Sequence, residues 1–127
     1  MSAKPVKEDP IKLHKEAAAL MENRKYAEAK DMFAKVAELY YKGQNYFGSA
    51  EMYYKAGEAA FALKEYEKAI EFFMKSAEVS FAKGFERFGV SAWDYARDAH
   101  NALGHTKEVE ELTKKIKEVK EKLESSF

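Results

Sequence analysis

The chain has 127 residues, enough for one domain with a real core and too few for two ordinary ones. Apolar residues make up 46%, and 22 basic residues balance 22 acidic ones, so disorder and counterion-driven nucleic-acid binding are not expected. With no cysteine there is no disulfide or thiolate site, and the apolar runs (Ala59 to Leu63, for example) are too short to span a membrane, so a cytoplasmic protein is expected.

Both prolines lie in the first ten residues, so nothing downstream breaks a helix. Residues 1–8 read as a flexible arm. Asp9-Pro10 then starts a helix, with Asp capping free N–H groups and Pro at the first helical position. Six helices are predicted, over about 10–22, 25–42, 45–63, 65–83, 86–103 and 106–124. Apolar residues step by three or four through each: Tyr26, Ala29, Phe33, Val36 and Tyr40 in the second, Tyr66, Ala69, Phe73 and Ala77 in the fourth. Gly43, Gly84 and Gly104 are expected to take the left-handed position that ends a helix. No stretch alternates with the two-residue period of a strand.

The chain repeats itself. Lys25-Tyr26-Ala27-Glu28-Ala29 is echoed 40 residues on by Glu65-Tyr66-Glu67-Lys68-Ala69, and Phe33 by Phe73. Lys42-Gly43 with Tyr46-Phe47-Gly48 matches Lys83-Gly84 with Arg87-Phe88-Gly89 at an offset of 41. A degenerate third copy carries Glu108 to Leu112 where the Tyr-x-x-Ala element belongs. Each unit is a helical hairpin that must stack on a neighbour to bury its apolar face.

The best copy, Ala50 to Val79, has Tyr53, Ala56-Gly57, Ala60, Tyr66, Ala69, Phe73 and Ser76 in the spacing of a tetratricopeptide (TPR) repeat, which the chain resembles. Its longer period, about 40 residues, is similar to the superhelical layer of the soluble attachment proteins (SNAPs) of membrane fusion. The resemblance implies an all-α fold: three stacked antiparallel hairpins in a short right-handed solenoid, with units at about 9–43, 44–84 and 85–124 of a single domain spanning 9–127. It also implies that the first helix of each hairpin lines a concave face. That geometry directs His14, Ala18 and Met21 inward from the first unit, Glu51, Tyr54, Glu58 and Phe61 from the second, and Trp93, Arg97 and His100 from the third. Such a mixed aromatic and charged strip suits an extended peptide or a partner helix. The competing reading is that the last helix fills the groove. TPR domains that clamp a terminal carboxylate use Lys, Arg and Asn in the groove; here Lys55 alone fits and Glu58 would repel, which argues against that class.

Catalytic motifs are lacking. His14, His100 and His105 include no pair four residues apart, there is no glycine-rich phosphate loop, and the serines have no elbow motif. No enzyme activity, cofactor or metal is expected; Glu58 with His100 is the nearest approach to a metal pair. In the last helix Val109, Leu112, Ile116, Val119 and Leu123 form a narrow stripe that caps the stack or pairs weakly with a second copy, giving a monomer or weak homodimer. The expected function is a non-catalytic adaptor or scaffold holding a protein or peptide segment. The alternatives are a SNAP-like trafficking or ATPase-adaptor role and a regulatory domain that binds a small apolar ligand.

Overall fold

Asp9 opens the first helix as a side-chain acceptor, taking a hydrogen bond from the Ile11 N–H at 3.0 Å, with Pro10 in the first helical position. The computed structural model describes residues 8–125. They form α1 (Pro10–Glu22), α2 (Tyr26–Lys42), α3 (Tyr46–Ala62), α4 (Tyr66–Ala82), α5 (Glu86–Ala102) and α6 (Thr106–Glu124), and no strand is found among them. The arm expected over residues 1–8 lies outside the described residues except for Glu8, whose carboxylate meets Lys35 Nζ at 2.6 Å.

Helices α2 to α6 begin at residues 26, 46, 66, 86 and 106, a spacing of 20 per helix and 40 per hairpin. One turn, used five times, sets this spacing. The second residue past each helix has a left-handed backbone: Arg24 (φ 59°), Gln44 (64°), Lys64 (61°), Gly84 (83°) and Gly104 (73°). Its N–H donates to the carbonyl three residues back, and the next N–H donates to the carbonyl five back, as in Arg24 to Met21 and Lys25 to Leu20. These paired bonds satisfy carbonyls that the helix end leaves free. The residue making the second bond is also the N-cap of the following helix.

Gly43 departs from expectation. Its φ is −83°, and Gln44 takes the left-handed position instead. Gly43 is the first residue of its turn and Gly84 the second, so the 41-residue match between Lys42-Gly43 and Lys83-Gly84 joined unlike positions.

Consecutive helices pack against each other, giving three hairpins (α1–α2, α3–α4, α5–α6) stacked in chain order as a short all-α solenoid. Buried positions recur at 40 residues: Ala29 with Ala69, Phe33 with Phe73 and Ala37 with Ala77 on the second helices, and Met52 with Ala92, Ala56 with Ala96 and Ala59 with Ala99 on the first. Alanine on one side and phenylalanine on the other let neighbouring backbones approach while the rings fill the wedge. Ser76 is the one polar member of its row, and its Oγ donates to the Ala50 carbonyl of α3 at 2.7 Å, which satisfies a buried hydroxyl. Helix α6 spends its apolar stripe on α5: Leu112 and Ile116 are buried, and Val119 packs on the core.

Candidate functional site

The 40-residue period defines which side chains of α1, α3 and α5 share a face. His14, Tyr54 and Asp94 are equivalent, as are Ala18, Glu58 and Asp98, and Met21, Phe61 and Asn101; Ile11, Glu51 and Ser91 continue the row. None of these twelve residues is buried. The expected strip takes its third-unit members at Trp93, Arg97 and His100, 39 residues after Tyr54, Glu58 and Phe61. One residue on a helix is a rotation of about 100°, so the strip divides.

Trp93 turns toward α4, where its ring centre lies 4.3 Å from that of Phe81. His100 turns toward the α5–α6 turn and His105. Arg97 stays within reach of the row, bonding Asp94 at 3.1 Å and Thr113 of α6 at 3.4 Å. At the other end, His14 Nδ1 lies 3.2 Å from the Tyr40 hydroxyl, and that hydroxyl's pKa is pushed up by burial first and then by Glu51 and Asp9. Met21 packs on the core, and Phe61 meets Tyr66 edge-on at 5.2 Å.

Tyr54 is the centre of what remains. Its ring touches Phe73 (5.4 Å between centroids), Phe88 (5.2 Å) and Tyr95 (5.4 Å), and Phe73 and Tyr95 stack on each other. Phe47 extends the cluster through Phe88 and Phe85. Phe47 and Tyr95 are 44% and 40% exposed, so the aromatic ledge across α3 and α5 opens to solvent. Carboxylates border it. Glu58 Oε1 accepts no hydrogen bond but forms a loose ion pair with the Lys55 ammonium at 3.6 Å. The Tyr54 pKa is driven well above its ordinary value by burial, then by Tyr95, with Glu58 and Asp94 adding to the effect.

Phe47, Phe88, Asp94 and Tyr95 belong to this site and were absent from the expected strip. The 40-residue echo of the second helices, applied to the first ones, leads from Tyr54 to Asp94 and so to its neighbour Tyr95. Beside the ledge an open recess of about 550 Å³ is lined by Phe47, Phe85, Phe88 and Leu123.

A second group lies at the α5–α6 turn. His100 Nδ1 and His105 Nδ1 are 2.9 Å apart, and a ring nitrogen of each histidine and a Glu108 carboxylate oxygen all fall within 4.8 Å of one another. The His100 pKa is pushed down by burial first and by His105 second, with Glu108 opposing. A search for histidines one helical turn apart misses this pair, because its five-residue separation spans a turn between helices.

Among the described residues no helix is long and apolar enough to cross a membrane. Comparison of the chain with protein-family models, curated proteins and solved structures returns no significant match.

Proposed function

We propose that this chain is a TPR-like, non-catalytic protein-interaction module whose ledge over α3 and α5 holds an extended partner segment carrying a basic side chain beside an apolar or aromatic one. The observation that carries this reading is the exposed Tyr95 ring, packed on Tyr54, beside a Glu58 carboxylate whose Oε1 accepts no hydrogen bond and meets Lys55 only in a loose 3.6 Å ion pair. A partner's ammonium or guanidinium at hydrogen-bonding distance would give Glu58 the charge-assisted bond that Lys55, at 3.6 Å, does not make. The aromatic rings supply rigid apolar area at low entropic cost, as binding hot spots do. Glu51, Glu58, Asp94 and Asp98 outnumber Lys55 and Arg97, which pair with Glu58 and Asp94, so the border stays negative and favours a basic segment over a terminal carboxylate.

Selection of a random-peptide library on the immobilised chain tests this reading. Enriched peptides should carry Arg or Lys within a few residues of Trp, Tyr, Phe or Leu. Glu58→Gln, which keeps size and removes charge, should weaken them at least tenfold, as should Tyr95→Ala. Peptides with no basic residue, or affinities unmoved by both substitutions, would refute the reading.

The recess lined by Phe47, Phe85, Phe88 and Leu123 favours a second reading, a small apolar ligand at the same end of the ledge. A hydrophobic dye displaced by ligand and lost in Phe88→Ala would support it.

A further inference from the structure

The turn between α5 and α6 has the same backbone as the other four but a different pair of side chains. Its hydrogen bonds hold the third-last position of one helix against the N-cap of the next: the His105 N–H donates to the His100 carbonyl at 3.0 Å. The corresponding pairs elsewhere are Leu20 with Lys25, Tyr40 with Asn45, Ala60 with Glu65 and Ser80 with Phe85. Only here do both members offer an imidazole nitrogen, and Glu108, one helical turn into α6, brings an oxygen to the same side.

We propose that His100, His105 and Glu108 form a binding site for a divalent transition-metal ion of the Ni²⁺ or Cu²⁺ kind, with water completing the coordination. Two imidazoles and one carboxylate are a ligand set that such ions accept and that magnesium and calcium do not favour. With metal–nitrogen bonds of about 2.0–2.1 Å, a nitrogen separation of 2.9 Å subtends about 90° at the ion. That angle suits square-based and octahedral coordination, and a tetrahedral bite would need the two nitrogens to part by about 0.4 Å. The site needs little ordering on binding. Gly104 already holds its left-handed φ of 73°, the turn's two backbone bonds are made, and a Glu108 carboxylate oxygen already lies within 4.8 Å of the histidine nitrogens. Without an ion, the 2.9 Å contact is an N–H···N hydrogen bond, with one ring in the Nδ1–H form. Metal binding moves that proton to Nε2, leaves both rings neutral and releases no net proton. The ion would clamp the last helix to α5, the only helix on which α6 packs extensively.

The test is calorimetric titration of the tag-free full chain with Ni²⁺, repeated with Cu²⁺ and with Mg²⁺. One equivalent of Ni²⁺ or Cu²⁺ should bind, Mg²⁺ should not, and the melting temperature should rise with Ni²⁺ concentration. His105→Ala should weaken binding at least tenfold and abolish the thermal shift, and Glu108→Gln should weaken it by a smaller factor. Circular dichroism checks the fold of each variant; if His105→Ala unfolds, His100→Gln and Glu108→Gln decide the matter. The Cu²⁺-loaded chain should show nitrogen hyperfine structure in its electron paramagnetic resonance spectrum, and His105→Ala should simplify it. Absence of stoichiometric binding, or binding unchanged in the folded variants, would overturn the site.

Discussion

Gly57 of α3 and Phe73 of α4 fit together with no room for a methyl group: a Cβ on Gly57 would lie 2.9 Å from each of three Phe73 ring atoms. Phe73 is fully buried and is held on its other sides by Tyr54 and Tyr95, so it cannot step aside cheaply. The equivalent pair in the first hairpin is Ala17 with Phe33, and in the last it is Arg97 with Thr113. The final hairpin thus reverses the arrangement, with the long side chain on α5 and the small one on α6.

Replacing Gly57 tests this fit. Gly57→Ala gains about 1 kcal/mol of helix propensity, yet it should lower stability because the new methyl collides with the ring. Gly57→Leu should cost about 1–3 kcal/mol. In urea melts, Phe73→Leu combined with Gly57→Ala should lose less than the sum of the two single changes. A Gly57→Ala protein more stable than the parent would show that the contact is loose.

The five turns differ in how well their central residue suits its backbone. Arg24, Gln44 and Lys64 hold left-handed conformations that side chains resist, and Gly84 and Gly104 hold them freely. Arg24→Gly, Gln44→Gly and Lys64→Gly should each stabilise by about 0.5–1 kcal/mol, and Gly84→Ala should destabilise by a similar amount. Gly43→Ala should change little, since its φ is −83° and an added Cβ meets only carbonyl oxygens at ordinary distances. Denaturant midpoints on the same set of variants would rank them.

Trp93 packs on Phe81, and Gly89 leaves the space that the Phe81 ring fills: a Cβ there would come within 2.8 Å of it. Trp93→Ala should therefore destabilise the fold by about 2–4 kcal/mol, as truncation of a packed aromatic does. The fluorescence of this single tryptophan should be insensitive to a peptide bound at Tyr54 and Tyr95. A strong emission shift on peptide binding would return Trp93 to the binding surface.

Alkaline titration should single out Tyr54. Its folded pKa lies well above the ordinary value of 10.0, with burial as the largest cause. The folded state holds this proton more tightly than the unfolded chain does. The resulting stability is therefore complete below pH 10.0 and declines as pH rises above it. Tyrosinate absorbance followed against pH should show a late step that Tyr54→Phe removes, and the variant should lose stability less steeply at high pH. An unchanged titration curve would mean that Tyr54 is not enclosed.

The helices were legible in the sequence because their determinants are local. Apolar residues three and four apart, an Asp-Pro start and the absence of proline from residue 11 onward specify six helices, and the observed ends fall within two residues of those expected. The repeat was legible too, since Tyr26 and Phe33 recur as Tyr66 and Phe73 in the second helices of the first two hairpins.

Which side chains meet was decided only in three dimensions. The first helices of the hairpins share less sequence than the second, so nothing local distinguished an offset of 39 from one of 40; the turn backbone sets 40, whatever residue occupies it. Gln44 accepts a left-handed conformation beside an available glycine because the position in the turn, not the residue type, carries that demand. His100 and His105 match no helical spacing and meet because the chain reverses between them. A one-residue slip rotates a helix by about 100°, enough to send Trp93 to Phe81 while Asp94 faces Tyr54. Helix formation is a short-range property of the chain, whereas the facing of two helices depends on the turn that joins them and on the packing that turn permits.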